Sequence, residues 1–354
     1  MNRSTFVRTL CCGFVAVAGG VFSLSASAQT DAKPAGKPTA TKKTIVIGVI
    51  AKSTSNPVFQ AAKTGAEDAA ADFRSKGIDV KVIWQTPTVE DAQKQSQYIE
   101  QLAGQGVDGI TISCSDGKVL KSSIDAAVDR GVEVVTFDSD SPESKRFAYY
   151  GIDDVEAGRA VMRELAKAMG EKGGQVAVLA GNQTAPNLQA RVKGVKEEME
   201  KHKNIKLKQV YYHKETANDA AAMVQTVQTS NPDIAGWAMV GGWPLFTQNA
   251  LDGVYDKAKV CSVDTLPAQL DYVRSGQVQA LIGQDCYGWG YQTVVMLVDK
   301  IGKGKSPGQA VNHFELAVVT KENVEKYAGL WEKWLGGSKK DGEGKADPKP
   351  VQKK

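Results

Sequence analysis

The amino-acid sequence predicts an α/β protein of two similar lobes, each a doubly wound parallel sheet, joined by a hinge of three chain segments. Two observations predict this class. Apolar, β-branched strands alternate with amphipathic helices in two consecutive runs, before and after about residue 151, and such alternation is typical of parallel sheets with right-handed crossovers. One strand in each run also closes on an aspartate, at Asp138 and at Asp264. A folded part of about 290 residues is, in addition, too long for one hydrophobic core.

The first run contains five short apolar segments that are typical of buried strands. The strands are predicted at 44–50, 80–84, 108–113, 132–137 and 147–150, and the helices from after Pro57 to about 73, at 90–105, at 118–130 and from 154 onward. The turn residues of 139–142 end the fourth strand. Asp154 is predicted to cap the helix that runs through Ala157, Val161 and Leu165.

The second run repeats the same order of elements. Its strands are predicted at 174–181, 206–212, 236–240, 259–264 and 280–284, and its helices at 187–202, 218–229 and 288–301. The segment that ends on Asp264 matches the one that ends on Asp138. The repetition predicts two lobes of similar construction.

Polar side chains stand at the carboxyl ends of several predicted strands. Open α/β sheets bind their ligands in the crevice at that edge. Asp138 and Asp264 are each interpreted either as a ligand contact or as the cap of the next helix. The segment 132–159 is therefore predicted to be the joint between two lobes that face a cleft.

The two ends of the chain differ in composition from the part between them. Residues 1–28 carry Arg3 and Arg8, then an apolar stretch and a small-residue site that ends at Ala28, as in a cleaved signal peptide; the alternative is an uncleaved anchor. Residues 29–43 are predicted to be a disordered linker and residues 336–354 a lysine-rich disordered tail. The leader, the linker and the tail carry charges of +2, +3 and +3, so the remainder carries −4. An acidic folded part gives no support to nucleic-acid binding.

Neither catalysis nor a metal site is indicated by the motifs. The three cysteines after the leader are Cys114, Cys261 and Cys286. Their odd number permits at most one disulfide, and three buried thiols are the alternative. The histidines lack the spacing of metal ligands, and there is no Gly-x-Ser-x-Gly elbow or phosphate loop. We therefore expect no cofactor, no metal and no enzymatic activity.

Several segments, in this order, resemble the periplasmic sugar-binding proteins of ABC importers, of the ribose- and galactose-binding type. The segments are Asn56 to Phe59, Gln105 to Ile110, Val135 to Asp138, Tyr150 to Arg159, Gln189 to Gly194, Asp264 and Gln284. The resemblance covers about residues 44–320. It implies the type I periplasmic binding protein fold. It departs from the family pattern at Ser139, where an arginine is usual, and at residues 241–246, where Trp243 stands in place of a polar contact.

A sugar offers hydroxyls that donate and accept, on a ring with apolar faces, so its site needs carboxylates, amides, an arginine fork and aromatic rings. The positions that the resemblance assigns to the sugar are Asn56, Phe59, Asp138, Arg191, Asp264 and Gln284. Further candidates, from their place at the same edge or in the same segments, are Ser115, Asp116, Ser139, Asn182, Asn187 and Trp243. Alternatives remain open: Arg191 as a surface ion-pair partner, and Phe59 and Trp243 as core residues.

The resemblance implies a solute receptor that closes on its ligand by hinge motion. The first lobe is predicted to combine 44–150 with 288–307, and the second 151–287 with 308–335. We expect a monomeric periplasmic protein that delivers a sugar or polyol to the permease of an ABC importer. The alternative is a sensor that presents a sugar or furanose to a chemoreceptor or a sensor kinase. A transcription repressor of similar core would need a DNA-binding helix-turn-helix, and a hydrolase would need a catalytic constellation.

Overall fold

The computed structural model describes residues 44–334 of the chain. The predicted signal peptide, the predicted linker and the predicted tail lie outside the described residues. The strands are β1 (Ile45–Ile50), β2 (Val80–Trp84), β3 (Gly109–Ile112), β4 (Glu133–Phe137), β5 (Ala148–Gly151), β6 (Gly174–Ala180), β7 (Ile205–Tyr212), β8 (Ile234–Met239), β9 (Lys259–Val263), β10 (Ala280–Gly283), β11 (Val311–His313) and β12 (Ala317–Val319). The helices are α1 (Val58–Ser75), α2 (Ala92–Gly104), α3 (Gly117–Asp129), α4 (Asp154–Met169), α5 (Pro186–Met199), α6 (Ala217–Ser230), α7 (Pro267–Arg274), α8 (Cys286–Lys303) and α9 (Val324–Trp334).

These strands form two six-stranded sheets. The first has the order β11-β5-β4-β3-β1-β2 and is parallel throughout; the second has the order β12-β10-β9-β8-β6-β7 and is parallel except for β12. Helices cover both faces of each sheet: α1 and α8 pack on one face of the first sheet and α2 and α3 on the other. In the second, α4 and α5 share a core on one face and α6, α7 and α9 lie on the other. The predicted two-lobed α/β class is confirmed.

The chain passes between the sheets three times, between β5 and α4, between β10 and α8, and between β11 and β12. One part of the predicted division is wrong. Val311–His313 pairs with β5 and so belongs to the first sheet, although residues 308–335 were assigned to the second lobe. We propose lobe boundaries of 44–151 with 286–313, and 152–285 with 314–334.

Helix α4 begins at residue 154, where the sequence places it, but its capping residue differs from the sequence prediction. Asp153, not Asp154, caps α4, because its carboxylate accepts a hydrogen bond from the Glu156 backbone. Asp154 is thereby free to turn its carboxylate toward Arg191.

Pairs of glycines bring two helices of each lobe into backbone contact. A Cβ on Gly158 of α4 would clash with the Arg191 carbonyl of α5, and one on Gly194 of α5 would clash with the Val155 carbonyl of α4. In the first lobe, a Cβ on Gly65 of α1 would likewise clash with the backbone of α8, and one on Gly290 of α8 would clash with the backbone of α1. The absence of side chains at these positions therefore sets the distance at which α5, and Arg191 on it, sits against α4.

The three cysteines of the folded part are free and buried, which agrees with buried thiols and not with a disulfide. Within residues 44–334, no helix combines the length and apolarity that a membrane span requires.

Candidate functional site

Asp138 and Asp264 lie at equivalent places in the two lobes. Asp138 follows β4 and Asp264 follows β9, and both have a left-handed backbone, with φ of 55° and 74°. Each backbone N–H donates to the next strand of its sheet, to Tyr150 at 3.1 Å and to Ile282 at 2.9 Å. The positive φ turns the chain away from the sheet just after the strand ends, and both carboxylates are buried.

Arg191, 2% exposed, is the centre of a buried polar network on α5. Its guanidinium donates to Asp154 at 2.8 Å, to the Val240 carbonyl at 3.1 Å and to Oε1 of Gln284 at 2.9 Å. Gln284 in turn donates to Asp264 at 2.6 Å. The burial of Arg191 excludes the alternative of a surface ion-pair partner. Its guanidinium contacts the first turn of α4 and the carboxyl ends of β8 and β10.

Asn187 links the two lobes. Its Nδ2 donates to Oδ1 of Asp138 at 3.2 Å, and its Oδ1 accepts from the Lys52 ammonium at 3.2 Å. Asp138 also accepts from the Ser113 hydroxyl at 2.7 Å and lies 3.9 Å from the Arg191 guanidinium. First-lobe groups therefore meet second-lobe groups directly across the cleft.

Glu90 and Glu215 face each other from opposite lobes at the same edge. The Lys52 ammonium lies 4.0 Å from Oε1 of Glu90, and Oε1 of Glu215 accepts from the Asn182 backbone at 3.0 Å. Burial raises the pKa of Glu90 to about 8, with Lys52 opposing and Glu215 adding to the rise. Burial alone would lower the pKa of Lys52, but Glu90, Glu215 and Asp138 outweigh it and raise that pKa. Lys52 is therefore charged.

The carboxyls on the second-lobe side respond to burial in the same direction. Burial raises the pKa of Asp154 to about 7, and Arg191 opposes the rise. Burial raises the pKa of Asp264 as well, against Arg191 and Gln284. The neighbouring carboxylates overcome burial to raise the pKa of Arg191, so this side chain stays charged. The cleft thus holds more carboxyl groups than cations.

Five of the predicted site residues join this network directly: Asp138, Asn187, Arg191, Asp264 and Gln284. Three others have local roles. Asp116 caps α3, Asn56 accepts from the Val58 backbone, and the Asn182 side chain accepts from Thr184. These local hydrogen bonds organise the loops of the same edge.

Aromatic and serine candidates are buried near the network. Phe59 packs against Phe137 and Trp289, with ring centroids 6.5 and 5.9 Å away, so it belongs to the core. Trp243 packs in the second-lobe core, with its ring edge-on to His213 at 5.1 Å. Ser115 and Ser139 are fully buried at the ends of β3 and β4.

Sequence reasoning missed Lys52, Glu90, Asp154 and Glu215. The repeat itself held a signal for two of them. Glu90 comes directly before Asp91, the cap of α2, and Glu215 comes directly before Thr216, the cap of α6. Since α2 and α6 each follow the second strand of their lobe, the two glutamates are equivalent positions of the repeat.

Some buried polar atoms at this edge have no hydrogen-bond partner among the described residues. They include Oε1 of Glu90, Oγ of Ser115, Oγ of Ser139, Nε2 of His213 and Nε1 of Trp243. Unsatisfied buried groups are costly, and water or a bound polar molecule would satisfy them. Two surface depressions, in contrast, lie at the amino ends of the first-sheet strands, beside Asp79 and beside Asp108. No three His, Cys, Asp or Glu side chains of residues 44–334 are arranged to hold a metal ion.

The arrangement is suited to holding a polar molecule between the lobes. Carboxylates and amides accept from hydroxyls, while Arg191 and Lys52 donate to them. Because the groups come from both lobes, a molecule that contacts both sets favours the closed arrangement.

The chain is similar to proteins of known type. Residues 47–306 match the profile of the family described as "Periplasmic binding protein domain". The ribose import binding protein of Bacillus subtilis is 31% identical over 140 residues, which are 40% of this chain and 44% of that protein. The D-allose-binding periplasmic protein of Escherichia coli K12 is 27% identical over 269 residues, which are 73% of this chain and 85% of that protein.

A solved structure supports the same comparison. An ABC transporter solute-binding protein of Burkholderia graminis, in complex with D-arabinose, aligns with a TM-score of 0.74 and 28% identity and covers 81% of this chain and 98% of that one. The family model spans most of the described residues, and the resemblance seen in the sequence is confirmed. The chain therefore belongs to the periplasmic binding protein domain family.

Proposed function

We propose that this protein is a solute receptor that captures a sugar or polyol between its lobes and delivers it to an ABC importer. The observation that carries the proposal is the bonded set that crosses the cleft, in which Asp138 of the first lobe meets Asn187 and Arg191 of the second. Asp264 and Gln284 extend it along the second-lobe edge. These are the donor and acceptor types that a polyol needs.

The relatives support the choice of solute class. The similar proteins are named for ribose and D-allose, and the similar structure holds D-arabinose. All three ligands are neutral sugars with adjacent hydroxyls. The site residues proposed for this chain are Asp138, Asn187, Arg191, Asp264 and Gln284, while Phe59 and Trp243 belong to the cores beside them.

The same proposal includes the location of the protein, its oligomeric state and its partner. The leader of residues 1–28 would export the chain to the periplasm, where it would act as a monomer without a cofactor. Its partner would be the permease, which would dock the closed form. It would neither turn over its ligand nor bind nucleic acid.

A thermal-shift screen of residues 29–354 against pentoses, hexoses and polyols tests the proposal. A ligand that binds only the folded state, at about 100 times its Kd, adds about 2.7 kcal/mol to the free energy of unfolding, which raises the Tm by several degrees. A hit that Asp138→Ala and Arg191→Ala both abolish supports the site. Well-folded protein with no shift for any of these compounds would contradict the sugar assignment.

A further inference from the structure

Lys52, Glu90 and Glu215 form a charged cluster, and the sugar site described above uses only Lys52 of the three. Lys52 follows β1, Glu90 follows β2, and Glu215 follows β7, so all three stand at carboxyl ends of strands that face the cleft. Two come from the first lobe and one from the second. The cluster is continuous with the site, because Lys52 donates to Asn187, which donates to Asp138.

The charges of this cluster do not balance. The Lys52 ammonium lies 4.0 Å from Glu90 and donates to Asn187, while the partner of Glu215 is the backbone N–H of Asn182. Oε1 of Glu90 is buried and accepts no hydrogen bond from any of residues 44–334. With Asp138, Asp154, Asp264 and Arg191 included, this edge contains five carboxyls and two cations, of which Asp138, Asp264, Lys52 and Arg191 are buried and Glu90, Asp154 and Glu215 are partly buried.

The groups around Glu90 do not remove this excess of carboxyls over cations. The groups that face Glu90 are Lys52, Glu215 and the Ser115 hydroxyl. Two carboxyls that approach each other in a buried place require a proton or a cation between them. Burial and the nearby Glu215 raise the pKa of Glu90 to about 8, so Glu90 is the carboxyl of the two that holds a proton at neutral pH.

We propose that the ligand of this receptor carries an amine, and that its ammonium group lies between Glu90 and Glu215 while its hydroxyls occupy the Arg191 end of the site. This inference rests on the proposed function and narrows its ligand to amino sugars or aminated polyols. An ammonium has three donors and a positive charge, so it satisfies both carboxylates where a hydroxyl has one donor and no charge. Lys52 then remains the partner of Asn187 and Asp138.

Matched sugars test the inference by isothermal titration at pH 7. The probes are D-glucosamine, D-galactosamine and D-mannosamine, each compared with its parent hexose and with its N-acetyl derivative, which keeps the ring and loses the charge. We expect at least one amino sugar to bind about 10-fold or more tightly than both neutral counterparts, because hydrogen bonds to charged partners are the stronger ones.

Variants of the cluster show where the preference arises. Glu90→Gln and Glu215→Gln should each reduce the ratio of amine to parent affinity toward one. Glu171→Gln, at an exposed position of the second lobe, should leave that ratio as in the wild type. Circular dichroism confirms that each variant is folded.

The outcomes separate this inference from the proposed function. A neutral sugar that binds as tightly as or more tightly than its amine overturns the inference and leaves the sugar receptor intact. A preference for amines that survives both glutamate variants also overturns it. Failure of every sugar, amino or neutral, to bind folded protein overturns both proposals together.

Discussion

Asp138 and Asp264 hold the same strained backbone in the two lobes, each at the end of a buried strand and each bonded through its N–H to the next strand. Left-handed backbone costs an L-residue other than Gly, Asn or Asp about 1–2 kcal/mol. The conformation is retained at both places, and at both it directs a carboxylate into the cleft. Asp adopts this backbone more readily than most residues, so an aspartate at each strand end both permits the turn and places a carboxylate in the cleft.

Replacing Asp264 by Gly and by Ala separates the backbone effect from the carboxylate. Both changes remove the same acid, but only Gly accepts a φ of 74° without cost. We expect Asp264→Gly to be more stable than Asp264→Ala by about 1 kcal/mol in urea unfolding. Equal stabilities would show that the chain relaxes out of the left-handed region.

Truncation of Asp138 should weaken binding of the true ligand. Asp138 accepts from Ser113 and Asn187, so Asp138→Ala removes a charged acceptor from a buried set. We expect a loss of about 2–3 kcal/mol, or roughly 30- to 200-fold in Kd by calorimetry. Asp233→Ala, which removes an exposed acceptor of Lys208 just before the amino end of β8, is the matched control and should keep the wild-type Kd.

Arg191→Ala should lower stability as well as affinity. The change leaves Asp154 buried without its guanidinium partner, and breaking a buried pair costs about 3–5 kcal/mol. The double variant Arg191→Ala with Asp154→Asn removes the unpaired charge and should recover part of that loss. Urea unfolding measures both. A double variant no more stable than Arg191→Ala would contradict the role of Asp154.

The stability of the closed protein should depend on pH through Glu90. Its pKa is raised to about 8 when folded, while the unfolded group keeps its ordinary value, so the folded state binds the extra proton. The stabilisation is complete below about pH 4.5 and is lost as the pH rises to about 8. Asp154 acts in the same direction up to about pH 7, and its effect is common to the wild type and Glu90→Gln.

The measurement is the difference in unfolding free energy between the wild type and Glu90→Gln, from pH 5 to pH 9. We expect the wild-type advantage to fall as the pH rises and to level off above about pH 8. Lys52 and Glu215, which face Glu90, are unchanged in the variant. A difference that does not vary with pH would contradict the raised pKa.

Adding a methyl group at the close contact between α4 and α5 should weaken ligand binding, although the added atom does not touch the site. Gly158→Ala places a methyl group against the Arg191 carbonyl, and the helices must separate or the residue must strain. We expect a loss of stability of about 1–3 kcal/mol together with weaker ligand binding. Gly329→Ala in α9, where no atom lies within 4 Å of the added Cβ, should instead be neutral or slightly stabilising.

The sequence predicted the fold well where the pattern was strong. The bounds of β2 were correct to the residue, and the buried strands that end near Asp138 and Asp264 were correct as well, because apolar β-branched runs report burial on both faces. The three-residue strands β11 and β12 were missed, since their alternation is too short and their residues are mostly exposed. Helix α7 was missed because it has only eight residues.

The site was predictable only in part, for a different reason. Gln284, which follows a strand, and Arg191, which lies on α5, could be chosen because the resemblance assigned both positions to the site. Lys52 and Glu90 look like ordinary surface charges in the sequence, and only the opposite lobe buries them. The cap of α4 shifted by one residue because Asp153 and Asp154 are chemically identical and only the chain path distinguishes them.

The late return of the chain to its first sheet constrains how the protein is made. The first core needs α8 on its face and β11 at its edge, and β11 ends at His313. Neither lobe is formed by one continuous segment of the chain. During synthesis, therefore, neither lobe is complete until most of the chain has been made. A cut in the chain at one crossing would leave the two lobes connected by the other two crossings. Fusing one lobe to another protein would require joining separate segments of this sequence.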